Sequence, residues 1–323
     1  MNVCYGPAGP EARRTYFVGD RSLVSTKTYE TIRVMIRPLG VCAFVFGCCI
    51  AVSAQQRPLI TDDIDITPPG AMEISAGVDF LQNVKLPLSG LKGDLTRVGE
   101  IRLRNGFAPN VELQIEGVIQ DFLAINSQTL PSPIPLNISG NSSNDFGDII
   151  VSAKVRLVSE TRLMPAFGLK FGFQMPNSDQ AKGIGTNQVN IFTKLIMQKK
   201  FGVKQGKRAP LANIYGNIGL GVMSAPLEDF SQNDVLLYGL AGIFGVTDRI
   251  NLVTEVNGRV STRSGEAQLG TESIGQFRVG AQIRASGLRF DTAAVFGLTR
   301  FSPRTGVTFG VTYLTPVFVP VAK

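Results

Sequence analysis

The chain has 323 residues, 44% hydrophobic and 18% charged, with 35 glycines, no tryptophan, no histidine and a formal charge of +7. Low charge and abundant glycine suit closely packed strands, and a chain without histidine can build neither a Ser-His-Asp triad nor a histidine metal site, so no enzyme, cofactor or metal centre is expected. The positive balance does not point to nucleic acid: six basic and three acidic residues precede Gln55, leaving 26 against 22, and these are scattered singly instead of forming a block.

Residues 1–34 read as an upstream extension, with Met35 the true initiator. Residues 35–54, MIRPLGVCAFVFGCCIAVSA, join Arg37 to an apolar run from Leu39 to Val52 and small residues at Ser53 and Ala54. This is the pattern of a signal peptide for export by the Sec pathway, with cleavage after Ala54. Cys4, Cys42, Cys48 and Cys49 all precede that point, so the mature chain has no disulfide, thiolate nucleophile or cysteine metal site. A lipoprotein site at Cys48 is disfavoured by the bulk of Phe46. Residues 55–70 follow as a periplasmic N-terminal segment, in which Asp62 and Asp63 read as a turn or cap before the first strand.

From residue 71 to 323 the governing signal is alternation with period two. In 71–82, Met72, Ile74, Ala76, Val78 and Phe80 share one face, and Glu73, Ser75, Gly77 and Asp79 the other. Twelve strands are predicted: 71–82, 95–105, 111–122, 149–158, 163–175, 188–198, 211–222, 235–246, 250–261, 274–285, 288–299 and 306–314. After residue 55 no apolar run approaches the roughly 18 residues of a membrane helix, whereas each strand is near the roughly 9–11 that cross a bilayer when tilted. Long connections (83–94, 123–148, 176–187, 223–234, 262–273) alternate with short ones (106–110, 159–162, 247–249, 286–287), the rhythm of an outer-membrane barrel; the basic connection 199–210 is the exception. The expected fold is all-β, a transmembrane antiparallel up-and-down barrel of about twelve strands. Phe80, Phe167, Phe173, Tyr238, Phe290, Phe309 and Tyr313 are candidates for its aromatic girdles.

The polar face is ionised in nearly every strand, which a dry core would not accommodate and a wet lumen does. Candidate lumen-lining residues are Arg102, Arg104, Glu112, Glu116, Lys154, Arg156, Lys170, Lys194, Glu255, Arg259, Arg278 and Arg284. Adding Arg289, Glu73, Asp79, Glu100 and Asp291 gives ten basic against seven acidic side chains, which predicts weak anion preference at most. Glu112 and Glu116 are expected to pair with Arg102, Arg104 or Lys154 on neighbouring strands. The loop 123–148 offers either an outer binding surface or an inward constriction.

The stretch RPLITDDIDITPPGAMEISAG carries Arg57, Pro58, Leu59, Thr61, Asp62, Asp63, Pro68, Pro69 and Gly70 ahead of the first strand. It resembles the start of a bacterial family named for the MetA pathway of phenol degradation, transporter-like outer-membrane proteins. FGDIIVSAKVRLVSE (146–160) and GVTDRINLVTEVNG (245–258) look similar to later parts of that family. The resemblance implies an outer-membrane barrel and admits aromatic compounds among its solutes; it transfers no catalytic residue. The expected function is passage of small solutes across the outer membrane of a Gram-negative bacterium, the alternative a plugged structural or adhesive barrel with binding loops. The expected partners are outer-membrane lipids, the barrel insertion machinery and a small-molecule solute, with no nucleic acid. The C-terminus departs from the usual aromatic ending, since Tyr313 is followed by LTPVFVPVAK.

Overall fold

The computed structural model describes residues 57–202, 210–228 and 231–317. All of them belong to the second of two compact units, Ile50–Lys323; the first, Met1–Cys49, lies outside the described residues, as do the proposed upstream extension and signal peptide.

Alternation becomes strand along the whole of this unit: β1 (Met72–Leu86), β2 (Leu91–Ala108), β3 (Val111–Gln128), β4 (Ser142–Asp145), β5 (Ile150–Val158), β6 (Ala166–Gln174), β7 (Asn190–Phe201), β8 (Ala212–Ser224), β9 (Gln232–Gly245), β10 (Ile250–Ser261), β11 (Ile274–Ala285), β12 (Leu288–Gly297) and β13 (Thr305–Leu314). Sequential strands pair antiparallel, and β1 pairs with β13, so the sheet closes into a ring. The short β4 lies on β3 at Asp121–Ala124 while β5 lies on Val111–Glu116 of the same strand. The two therefore share one position, and the ring has twelve. The closing strand is β13, ending at Leu314, where the departure of the C-terminal sequence had left its place open.

All twelve predicted strands are present, and 274–285 has its predicted bounds. The two-residue turn after it needs both φ values positive, and Ser286 (51°) and Gly287 (79°) adopt them. The long loop predicted at 83–94 is wrong: β1 continues to Leu86 and β2 begins at Leu91. A bulge is the reason. The register shifts between Leu81 and Val84, with Asn83 at φ 53°, so apolar residues return to the inner face one position late and the alternation breaks. The first part of the predicted loop 123–148 is likewise strand, and Leu136 and Ile138 fold inward onto a cluster of Leu81, Val84, Leu91, Leu95, Leu123 and Val295.

Exposure is inverted relative to a water-soluble barrel. Glu112 and Lys154 are 0% exposed, while Ile115, on the opposite face of the same strand as Glu112, is 49% exposed. An outer surface of Leu, Ile, Val and Phe on every side is the surface of a barrel in lipid. Phe167, Phe290 and Tyr313 mark it near the end of the short turns; Phe80, Phe173 and Phe296 mark it near the end of the loops.

Candidate functional site: the lumen and its strap

Residues 57–70, which the sequence reading treats as a segment ahead of the barrel, lie inside the ring of strands. The segment has no period of its own, and the wall supplies its partners. At one end Arg57 Nη2 donates to Glu100 Oε2 at 2.7 Å on β2 and to Asp79 Oδ1 at 3.4 Å on β1, and Nε stands 3.8 Å from Asp291 on β12. The carbonyls of Arg57 and Pro58 accept from Gln282 Nε2 at 2.7 Å and Arg278 Nη1 at 3.1 Å, both on β11. The amides of Ile60 and Thr61 donate to the Glu255 carboxylate on β10.

Asp62 and Asp63, read from sequence as a turn or cap, are the anchors of this strap. Asp62 accepts from Lys170 Nζ at 2.8 Å and Lys194 Nζ at 3.0 Å, and its amide donates to Asn217 Oδ1 at 2.7 Å. Asp63 accepts from Arg104 Nη2 and Lys154 Nζ, each at 3.1 Å. Asp65 meets Lys200 at 2.6 Å, and Thr67 donates its amide and hydroxyl to Glu112 at 2.7 and 2.6 Å. From Arg57 to Thr67 the strap thus makes a circuit of the inner wall, passing β12, β11, β10, β9, β8, β7, β6, β5 and β3. Two apolar contacts hold it between the charges: Leu59 against Tyr215, Ala241, Ile243 and Val253, and Ile64 against Ala166 and Ile196.

The wall makes room by leaving side chains out. A Cβ on Gly77 would overlap the Arg57 guanidinium, one on Gly168 would overlap Ile64, and one on Gly239 would meet Thr61 Oγ1 at 2.5 Å. Burial pushes Asp62 upward, but Lys170 and Lys194 outweigh it and hold the carboxyl well below its ordinary range. For Asp63 burial outweighs Lys154 and Arg104, and the carboxyl is raised.

The predicted pairs form as expected from cross-strand geometry. Arg102 meets Glu116 at 2.9 Å, Arg104 meets Glu112 at 2.8 Å, and Lys154 meets Glu112 at 3.2 Å. Lys170 bridges Glu116 and Asp62. Arg156 and Arg284 lie at the short-turn rim, the first donating to the Pro109 carbonyl. Arg259 lies toward the loops, donating to the carbonyls of Glu272 and Gly270. Sequence reasoning missed Arg57, Asp65 and the Arg97–Asp121 pair at 3.3 Å. The strap adds three aspartates and one arginine to the ten basic and seven acidic wall residues, which brings the two signs nearly level.

On the loop side of the strap is a cavity of about 480 Å³, floored by Ile60, Thr61 and Asp62 and walled by residues of β1, β2, β3 and β5 to β11. It can hold a small solute against a mixed polar and apolar wall.

No family model matches the chain, and no curated protein matches its sequence. Among solved structures, an outer-membrane channel from Pseudomonas putida F1 is similar with a TM-score of 0.56 at 15% identity, over 78% of this chain and 98% of that one. The KdgM porin in complex with disordered oligogalacturonate gives a TM-score of 0.43 at 9% identity, over 75% and 98%. The chain is therefore similar in fold to an outer-membrane channel: a closed, all-β, up-and-down barrel with its apolar face outward.

Proposed function

We propose that the chain is an outer-membrane channel that passes small solutes, with the strap narrowing the short-turn half of its lumen. The observation that carries this reading is the cavity above Ile60, Thr61 and Asp62, a chamber within the ring of strands lined by both ionised and apolar side chains. The likeness in fold to a channel supports location in the outer membrane, the segment 35–54 supports export by the Sec pathway, and the apolar belt supports lipid as its surroundings. Assembly by the barrel insertion machinery follows from that location. Aromatic compounds as solutes, and membership of the MetA-related family, rest on the motif from Arg57 to Gly70.

The strap's own ion pairs favour a second reading, in which it stays seated and the barrel is a plugged scaffold with binding loops. Single-channel recording of residues 55–323 in planar bilayers decides between them, beside residues 71–323 and the Asp62→Asn variant. Stable steps from the intact chain support the channel. Steps only after the strap is removed or weakened support the plug, and silence from all three folded proteins overturns the channel.

A further inference from the structure

The cavity wall is divided by chemistry. On β10 and β11 it presents Asn257, Arg259 and Arg278; on the adjoining β8 and β9 it presents Met223, Val235 and Leu237. Register makes the two halves contiguous, because Arg259 pairs with Leu237 across β9 and β10, and Asn257 pairs with Gln276, two positions before Arg278.

Four other cations around the cavity are engaged by carboxylates: Arg97 by Asp121, Arg102 by Glu116, Lys170 by Asp62 and Glu116, and Lys194 by Asp62. Arg259 and Arg278 differ. Among the described residues neither has a carboxylate at ion-pair distance. Arg278 donates to the Pro58 carbonyl and Gln276 Oε1, and Arg259 to two backbone carbonyls. The acidic side chains around them are held elsewhere: Asp79 and Glu100 by Arg57, Glu255, opposite Arg278 in register, by the amides of Ile60 and Thr61, and Glu272 by the amide of Gly270. Between the two arginines along the wall, Nδ2 of the buried Asn257 has no acceptor among the described residues. Buried donors without acceptors are costly, and a guanidinium is best completed by a planar oxyanion.

We propose that this wall binds a small organic acid with an apolar body, its carboxylate at Arg259, Arg278 and Asn257 and its body on Met223, Val235 and Leu237. An inorganic anion leaves the apolar half unused, and a neutral alcohol or phenol brings one oxygen to a set of donors that a carboxylate fills with two. A volume of about 480 Å³ accommodates a compact ring compound. The inference rests on the reading of the lumen as a path for solutes and names their class.

The test is calorimetric titration of the refolded mature chain with benzoate, benzyl alcohol and acetate, alongside bilayer recording of the same preparation. Benzoate is expected to bind at least about tenfold more tightly than either of the others, as a charge-assisted contact plus apolar burial requires. Arg259→Gln is expected to remove that advantage while leaving benzyl alcohol unchanged. Arg278→Gln does the same but also releases the Pro58 carbonyl, so Arg259→Gln is the decisive variant. Benzoate binding no tighter than benzyl alcohol, or full benzoate affinity in Arg259→Gln, overturns the site. Conductance without benzoate preference sinks the site and leaves the channel; benzoate binding without conductance keeps the site and sinks the channel.

Discussion

Replacing Asp62 by Asn isolates the strap's central anchor. The carboxylate faces Lys170 at 2.8 Å and Lys194 at 3.0 Å, and both Asp62 and Lys170 have side chains only 3% exposed. Removing one partner of a buried pair costs roughly 3–5 kcal/mol. Two features lower that figure here: Lys170 keeps Glu116 at 2.8 Å, and the Lys194 side chain is 19% exposed and reaches water. A loss of about 2–3 kcal/mol remains, which raises the population with the strap unseated by roughly 30- to 140-fold, at 1.4 kcal/mol per decade. The four cysteines of the chain all precede Gln55, so a single cysteine introduced into residues 55–323 reports without background. Ala241→Cys places it beneath Leu59, where only an unseated strap exposes it. The assay is the rate at which a charged, membrane-impermeant methanethiosulfonate labels that thiol, with and without Asp62→Asn. An increase of less than threefold would refute the assignment of Asp62 as an anchor.

Other consequences follow from the same contacts. Gly239→Leu puts a side chain where Thr61 lies, so the strap must lift, and single-channel recording is expected to show more frequent or larger openings with the barrel still folded. With the strap in place the lumen charges nearly balance, so the reversal potential under a salt gradient is expected near zero; residues 71–323 alone should shift toward anions, and a shift toward cations contradicts the assignment of faces. Glu112→Leu leaves Arg104 and Lys154 short of a shared carboxylate and strips Thr67 of its acceptor, a destabilisation of about 3–5 kcal/mol measurable by urea unfolding in detergent. The depressed Asp62 contributes stability above its unfolded pKa, near ~4, and loses it only as pH falls through the lower folded value; the raised Asp63 favours the seated form on protonation. Opening frequency should therefore not rise between pH 7 and about pH 4, and a strap that releases near pH 5 contradicts this.

Most of the ring was legible because a strand between lipid and water writes its geometry into every second residue. Val111–Gln120 shows this: Leu113, Ile115 and Ile119 face out while Glu112, Gln114 and Glu116 face the lumen, and pairing with Arg102, Arg104 and Lys154 follows from adjacency alone. What alternation cannot express is a segment shaped by distant partners. The strap's order derives from bonds such as Asp62 to Lys194 and Arg57 to Thr308, 132 and 251 positions away. Its signals were present but indirect. Three aspartates stood in one short stretch ahead of a barrel with surplus cations, and Gly77, Gly168 and Gly239 stood at inner positions, the last between Asn217 and Asn257 on its neighbouring strands. The extension of β1 beyond residue 82 was hidden for a different reason, since a bulge at Asn83 shifts the phase on which the reading depends.

The circuit of the strap also bears on how the chain completes its fold. Its contacts begin upstream of every strand and reach Thr308 on β13, the strand that meets β1 at the seam. Arg57 therefore gains its last partner only when the sheet's two ends join, and chains ruled by contacts of such sequence separation fold slowly. A loss of β13 would accordingly be felt twice, as an open edge in the membrane and as a loosened end of the strap within.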